Sequence, residues 1–107
     1  MYGTIGRFRI KQGMEAQFRQ ILKSQGHPFE SGQVPGFVES LAYRMDADPN
    51  EYYLAAVFES REAYLANADA PEQDARYRQW LPLLESEPEW HDGEIVSGYA
   101  LQKHGSL

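Results

Sequence analysis

The segment 52–58, with the sequence YYLAAVF, constrains the fold of this chain more than any other stretch. Its residues are aromatic, aliphatic or small, and none is charged, a composition typical of a β-strand. Successive side chains of a strand point to opposite faces, and in this segment both sets are apolar. A strand with two apolar faces has to be covered on both sides, which predicts a central position in a sheet.

A helix is predicted directly after this strand. The Ser60 hydroxyl can accept a hydrogen bond from the first helical turn, and Glu62 suits the positive end of the helix dipole. We expect this helix to end near Asn67. Pro71 favours the start of another helix, and Pro82 predicts a kink or a second short segment because it removes a helical hydrogen bond. An apolar stripe with helical spacing is formed by Tyr77, Trp80, Leu81 and Leu84.

Three further strands and one helix complete the pattern. Alternating residues predict a strand over residues 2–10, and helical periodicity predicts an amphipathic helix over residues 14–26. Glycine and proline indicate an irregular connection over residues 28–36. A strand over residues 36–45 is predicted to pair with the central strand through a tight antiparallel turn, and a last strand is predicted over residues 93–102. One face of the 36–45 strand is expected to carry Phe37, Leu41, Tyr43 and Met45.

The order of elements, βαββαβ, predicts an α+β fold of the ferredoxin-like kind, a four-stranded antiparallel sheet with helices on one face. A chain of 107 residues is long enough for one core, so a single domain is predicted over residues 1–107. The helices leave the second apolar face of the central strand uncovered, which is unusual for a soluble monomer. A second copy related by a two-fold axis is the simplest cover, and a homodimer is predicted.

Composition excludes several classes of function. The chain has no cysteine, which excludes disulfide scaffolds, thiolate zinc sites and cysteine nucleophiles. Its formal net charge of −6, spread along the sequence, argues against binding to nucleic acid or to an anionic membrane surface. No apolar run reaches transmembrane length and no signal peptide is recognised, so we expect a cytoplasmic protein.

Histidine is the side chain best suited to proton transfer near neutral pH. His91 is the candidate for a base that removes a proton from a phenol, and the alternative is a loop histidine at the start of the last strand. The three histidines are far apart and show no metal-ligand spacing, and the sequence contains no nucleotide-binding loop. We therefore expect no metal, haem or flavin cofactor.

Four parts of the sequence resemble the antibiotic biosynthesis monooxygenase family, whose members form dimeric α/β barrels. They are Gly13 before the first helix, residues 35–37 (PGF), residues 57–64 (VFESREAY) and residues 88–94 (PEWHDGE). The resemblance implies a ferredoxin-like chain that pairs into a barrel, with a pocket between sheet and helices. The fold serves quinol oxygenases, haem-degrading oxygenases, isomerases and members of unknown role, so fold alone does not select an activity.

In the family's cofactor-independent oxygenases this pocket binds an aromatic phenol or quinol and helps to form its anion, which passes an electron to O₂. The resemblance implies roles for an Asn and a Trp in the second helical region, with a Tyr and an Arg nearby. Asn67 can instead serve only to end a helix, and the aromatic candidates can belong to the core. The residues that the resemblance indicates are Asn67, Trp80, Tyr64, Tyr77 and Arg44.

The haem-degrading branch of the family is a poorer match. It places an Asn on the first strand, a Trp on the helix after the third strand and an iron-binding His further along, where this sequence has Gly6, Asn67 and Tyr77. Because Gly6 has no side chain, we expect open space beside it, bounded by Phe8 and by the helices. The full set of candidates is Asn67, Tyr77 and His91 for catalysis, with Gly6, Phe8, Arg44, Tyr64 and Trp80 for substrate binding.

Two functions therefore compete at the level of the sequence. The leading hypothesis is a cofactor-independent monooxygenase that acts on a small aromatic molecule, either a phenol or quinol or a polyketide-like compound. The alternative is a non-catalytic, dimeric ligand-binding or stress-related module. A haem-degrading oxygenase is a third and less favoured hypothesis. Convergence of the catalytic candidates on one cavity would favour the enzyme.

Overall fold

The computed structural model describes residues 1–99 of the chain. A 3₁₀ turn over Leu81–Leu83 follows the last helix. The strands and helices, in chain order, are β1 (Tyr2–Arg9), α1 (Glu15–Ser24), α2 (His27–Glu30), β2 (Phe37–Arg44), β3 (Glu51–Phe58), α3 (Arg61–Ala68), α4 (Pro71–Trp80) and β4 (Glu89–Glu94).

The four strands form one antiparallel sheet in the order β2-β3-β1-β4. The central position predicted for segment 52–58 is confirmed, because β3 pairs with β2 on one side and with β1 on the other. Helices α1, α3 and α4 follow the order predicted from the sequence. The ferredoxin-like α+β fold is therefore confirmed.

The core lies between the sheet and the helices. It is a cluster of aromatic side chains from β1, α1 and β3, closed by leucines that follow α4. Phe8 stacks on Tyr52 with ring centroids 5.9 Å apart, and Phe18 meets Phe8 at 5.5 Å. Aromatic pairs at such distances add to the stability gained from burial alone. This cluster fixes helix α1 against the two central strands.

Local sequence signals explain the ends of the helices. The Ser60 hydroxyl accepts a hydrogen bond from the Ala63 backbone N–H at 3.1 Å, which confirms the predicted cap of α3. Pro71 occupies the first turn of α4, where backbone N–H groups make no intrahelical hydrogen bond, so the N–H that proline lacks is not missed. Pro82 stands in the 3₁₀ turn, which is the second short segment that it predicts.

Two segments differ from the sequence-based expectation. The connection over residues 28–36 contains a short helix, α2, with Pro28 in its first turn. Strand β4 begins at Glu89 and ends at Glu94, whereas the expected strand spans residues 93–102. Its ladder with β1 ends with Glu94 opposite Tyr2, and one further backbone bond joins Ile95 N–H to the Met1 carbonyl at 3.0 Å. Residues 95–99 form no strand, and residues 100–102 lie outside the described part of the chain.

The two faces of the sheet have different surroundings. Residues 2, 4, 6 and 8 of β1 share with their partners an inner face that meets the helices, where Thr4 and Phe8 are buried. The opposite, outer face carries Ile5, Leu41, Tyr43, Tyr53, Ala55 and Val57. Ile5 is 55% exposed and Tyr43 is 52% exposed, so no described element covers them. The helices therefore cover one face only, and the second copy expected on the outer face stays a prediction.

A β-bulge changes the facing of Phe37. The register of β2 on β3 shifts between Phe37 and Glu39, so that Phe37 lies opposite Phe58 on the inner face. Leu41 and Tyr43 remain on the outer face, as expected. The sequence-based assignment of Phe37 to their face is wrong because strict alternation does not allow for the extra residue.

No helix among the described residues is both long and apolar enough to cross a membrane.

Candidate functional site

A cavity of about 480 Å³ lies between the inner face of the sheet and helices α2, α3 and α4. Its volume falls in the range of cavities that bind small organic molecules. Most of its lining is aromatic or aliphatic, with a small number of polar groups. The lining residues are Thr4, Gln25, Phe29, Phe37, Leu54, Ala56, Phe58, Tyr64, Asn67, Ala68, Gln73, Asp74, Arg76, Tyr77, Trp80, Trp90 and Asp92.

One wall of the cavity is a series of four aromatic rings. Phe29 meets Phe37 with centroids 4.9 Å apart, and Phe37 meets Phe58 at 5.6 Å. Phe58 then meets Tyr64 at 5.7 Å. The bulge in β2 is responsible for part of this wall, since it turns Phe37 inward. The series joins α2 to α3 across the sheet.

A second aromatic wall is built from α4 and β4. Tyr77 lies 6.4 Å from both Trp80 and Trp90, measured between ring centroids. The Trp80 indole N–H donates to Gln25 Oε1 at 3.0 Å, so the C-cap residue of α1 already satisfies this donor. Trp80 therefore contributes its ring face to the cavity. Two aromatic walls suit a flat, conjugated ligand.

The first polar group of the cavity is a Tyr–Asp pair. The Tyr64 hydroxyl donates to Asp92 Oδ1 at 2.8 Å, joining α3 to β4. Burial, together with this hydrogen bond to a carboxylate, raises the pKa of Tyr64 to about 12. Tyr64 is thus protonated at any physiological pH and acts as a donor. The pair leaves a carboxylate with free lone pairs at the cavity wall.

The second polar group is the Arg76 guanidinium. It lies 4.7 Å from the centroid of the Phe29 ring, in a cation–π arrangement. Arg76 Nη2 and Nε donate to Gln73 Oε1 at 2.9 and 3.2 Å. Burial lowers the pKa of Arg76 from its usual value, an effect partly opposed by Glu72. A guanidinium nevertheless remains charged in a protein.

Two of the predicted catalytic residues meet at this cavity. Asn67 on α3 and Tyr77 on α4 are half-buried, and both line it. Tyr64 and Trp80, predicted to bind substrate, line it as well. The catalytic roles of Asn67 and Tyr77 stay predictions, but their side chains are brought together.

The third predicted catalytic residue, His91, is not part of the cavity. It lies within β4, pairs with Ile5 and is exposed on the outer face of the sheet. The expected convergence of His91 with Asn67 and Tyr77 is therefore absent. Its neighbour in the chain, Asp92, faces the cavity instead, because adjacent residues of a strand point to opposite faces. Alternation through residues 89–94 is the signal that could have found it.

The expected open space beside Gly6 is occupied. Gly6 does face the helices, but a Cβ atom added there would overlap the Trp90 ring, with Cε3 only 2.5 Å away. Trp90 lies opposite Gly6 in the β1–β4 pair and lays its indole over the glycine. Phe8 is 3% exposed and belongs to the core, outside the cavity lining. The expectation of empty space is wrong because the missing side chain accommodates a tryptophan from the next strand.

Arg44 also lies away from the cavity. Its Nη1 pairs with Glu15 Oε1 at 2.6 Å, on the exposed side of α1. Arg44 and the Tyr52 hydroxyl lower the pKa of Glu15. Arg44 thus ties β2 to α1, and its side chain is engaged at the surface. Across residues 1–99 there is also no cluster of three side chains able to hold a metal ion.

A ferredoxin-like α+β domain with an aromatic cavity between sheet and helices is the class that this fold and site define. Residues 1–79 match the sequence model of a family described as antibiotic biosynthesis monooxygenase. This match spans more than half of the chain, and the protein belongs to that family. Three cavity residues, Trp80, Trp90 and Asp92, lie after the matched segment. The comparison with curated proteins gave no significant match.

Several solved structures share the fold. A variant of SnoaB from Streptomyces nogalater, described as a cofactor-independent oxygenase, gives a TM-score of 0.77 at 20% identity, covering 91% of this chain and 94% of that one. Rv0793 from Mycobacterium tuberculosis gives 0.77 at 17% identity, covering 92% and 98%. A protein from Chloroflexus aurantiacus gives 0.72 at 23% identity, covering 92% and 96%. At these identities the similarity establishes the fold.

Proposed function

We propose that this protein is a cofactor-independent monooxygenase that oxidises a flat, electron-rich phenol or quinol, and that it acts as a cytoplasmic homodimer. The observation that carries the proposal is a cavity with two aromatic walls and a few polar groups, Asn67, Tyr77 and Asp92 among them. Family membership and the structural similarity to SnoaB support it. Aromatic walls hold the ring, and the polar groups act on its hydroxyl substituents.

The polar groups have distinct proposed roles. Asp92, held in place by Tyr64, accepts the proton of a ligand hydroxyl, which leaves an electron-rich anion. The amide of Asn67 and the hydroxyl of Tyr77 donate hydrogen bonds to that anion. The anion then reduces O₂ directly. At a ring CH₂ group conjugated with the anion, a C–O bond to O₂ forms as a C–H bond breaks, which gives a hydroperoxide. Loss of water from the hydroperoxide cleaves the O–O bond and the second C–H bond and leaves a carbonyl, so that CH₂ + O₂ gives C=O + H₂O. The carbon loses the four electrons that O₂ gains, and the proton held by Asp92 returns to the product hydroxyl.

Oxygen uptake tests the proposal. Dithranol, a dihydroxyanthrone, is a suitable probe because it carries phenolic hydroxyls and an oxidisable CH₂ group on one flat ring system. The purified protein, treated with a chelator, is expected to consume O₂ with dithranol well above the spontaneous rate. Asp92→Asn and Tyr77→Phe should each lower kcat at least about tenfold, as expected for loss of a proton acceptor or an anion donor. Ser24→Ala, an exposed change on α1, is the control. A rate no higher than the spontaneous one would contradict the proposal.

A non-catalytic ligand-binding module is the alternative, and two observations favour it. His91 lies outside the cavity, and the Trp80 indole N–H is already bound to Gln25. A module of this kind would be stabilised by aromatic ligands in a thermal melt without any oxygen uptake. Stabilisation together with turnover supports the oxygenase.

A further inference from the structure

Arg76 differs from most other arginines of the chain. Those with a clear carboxylate partner are Arg7 with Glu51, Arg9 with Asp48 and Glu85, Arg19 and Arg44 with Glu15, and Arg78 with Asp74. Arg76 forms no ion pair with any residue in the range 1–99, although it is half-buried at the cavity wall. A partly desolvated guanidinium without an ion-pair partner keeps a charge and donors that an anionic ligand group can engage.

The surroundings of Arg76 hold its guanidinium in place without neutralising it. Gln73 occupies Nε and one hydrogen of Nη2, and the Phe29 ring covers one face of the group. The donors of Nη1 have no partner among the described residues. The guanidinium is therefore fixed in orientation, with hydrogen-bond donors to spare.

Nearby carboxylates do not satisfy this charge. Asp74 also lines the cavity, but its Oδ2 is bound by Arg78 Nε at 2.8 Å. Glu72, one turn earlier on α4, acts on Arg76 only at longer range, and burial has the larger effect on the Arg76 pKa. A negatively charged group of a ligand can therefore act as the ion-pair partner of Arg76.

Arg76 and Asp92 lie at different ends of one aromatic wall. The guanidinium covers Phe29, and the series Phe29, Phe37, Phe58 and Tyr64 leads to Asp92. A ligand that follows this wall meets a cation at one end and a hydrogen-bond acceptor at the other. The two ends thus select opposite chemical groups on the same ring system.

We propose that the cavity selects aromatic ligands that carry a carboxylate in addition to a hydroxyl, with the carboxylate bound by Arg76 and the hydroxyl directed to Asp92. This inference deepens the proposed function, since it assigns the substrate class of the same cavity. It concerns binding alone, so it can be tested without turnover. Arg76 is then the residue that determines specificity, outside the proton-transfer steps.

Calorimetric titration with a matched pair of compounds tests the inference. Rhein and aloe-emodin are dihydroxyanthraquinones that differ at one position only. Rhein carries a carboxylate there, and aloe-emodin carries a hydroxymethyl group. At neutral pH the parent protein is expected to bind rhein at least about tenfold more tightly, consistent with a charge-assisted bidentate pair. Arg76→Gln should abolish this preference by weakening rhein binding while leaving aloe-emodin binding nearly unchanged. Arg76→Lys should restore part of it.

Arg61→Gln is the matched control, because Arg61 is exposed at the start of α3, away from the cavity, and the change in net charge is the same. It should leave the preference for rhein intact. Equal affinity for the two compounds, a preference that survives Arg76→Gln, or no binding of either compound would overturn the inference. A preference that depends on Arg76, without oxygen uptake from dithranol or from the carboxylate-bearing anthrone of rhein, would uphold the inference and overturn the oxygenase.

Discussion

Single residues decide the shape of the cavity, and the contact between Gly6 and Trp90 is the clearest case. Trp90 can cover β1 only because Gly6 has no Cβ atom. We expect Gly6→Ala to lower the free energy of unfolding by about 1–3 kcal/mol, since the added methyl group displaces the indole. Chemical denaturation measures this loss.

A double-mutant cycle shows whether the loss comes from Trp90. In a Trp90→Ala background the same Gly6→Ala change should have an effect well under about 1 kcal/mol, because the overlapping ring is gone. An equal loss in both backgrounds would mean that another contact is responsible. Because Trp90 is 38% exposed, its own truncation is expected to leave a folded protein.

The Tyr64–Asp92 pair predicts a dependence on alkaline pH. The pKa of Tyr64 rises from 10.0 to about 12 in the fold, chiefly through burial. The stability that its protonated form contributes is complete below a pH of about 10 and is lost as the pH rises toward about 12. The difference in unfolding free energy between the parent and Tyr64→Phe should therefore narrow over this interval. A gap that stays constant over this interval would contradict the assignment.

The family resemblance pointed to Asn67, Tyr77, Tyr64 and Trp80, and helical spacing put Tyr77 and Trp80 on one apolar stripe. All four side chains line the cavity. Asp92 and Arg76 were missed for different physical reasons. The inward facing of Asp92 follows from alternation in β4, but the strand expected from the sequence spans residues 93–102, after Asp92. Arg76 lacks an ion-pair partner because nearby arginines, such as Arg78, bind the surrounding carboxylates. Which arginine binds which carboxylate is decided only in the folded chain.

At the scale of elements, α3 is the helix on which the candidate site depends, since it carries both Tyr64 and Asn67. Ser60→Ala removes the hydrogen bond to the Ala63 N–H and should lower the free energy of unfolding by about 1 kcal/mol. Ser24→Ala is the control, since it removes an exposed hydrogen bond from the Ser24 hydroxyl to the Ile21 carbonyl at the C-terminal end of α1. It should change the free energy of unfolding by less than about 0.5 kcal/mol. Equal losses of unfolding free energy for the two variants, measured by chemical denaturation, would contradict a stabilising role of the Ser60 cap.

Strand boundaries were the least predictable part of the fold. The central position of β3 was predicted correctly, because a strand with two apolar faces is expected inside a sheet that is covered on both sides. Residues 95–99 include Ile95, Val96 and Tyr99, yet no strand forms there, since pairing with β1 ends at Tyr2 apart from one bond between Ile95 N–H and the Met1 carbonyl. Pairing partners, more than composition, determine where an edge strand ends.

At the scale of the whole molecule, the outer face of the sheet predicts association. Light scattering at low micromolar concentration is expected to give twice the chain mass, because the predicted second copy would cover this exposed apolar face. Ile5→Asp should lower the apparent mass or reduce solubility, since Ile5 is exposed on that face. Leu65→Asp, at an exposed apolar residue of α3, should leave the mass unchanged. A monomer for the parent protein would contradict the predicted homodimer.

The central claim is that the cavity directs oxygen from O₂ into an aromatic ligand, and isotope labelling tests it most directly. Dithranol is incubated with the protein under labelled O₂, and mass spectrometry follows the early, protein-dependent product. The account predicts one labelled oxygen atom per product molecule, formed faster than in protein-free buffer and strongly reduced in Asp92→Asn. Product that carries no label, or that forms at the same rate without protein, would contradict it.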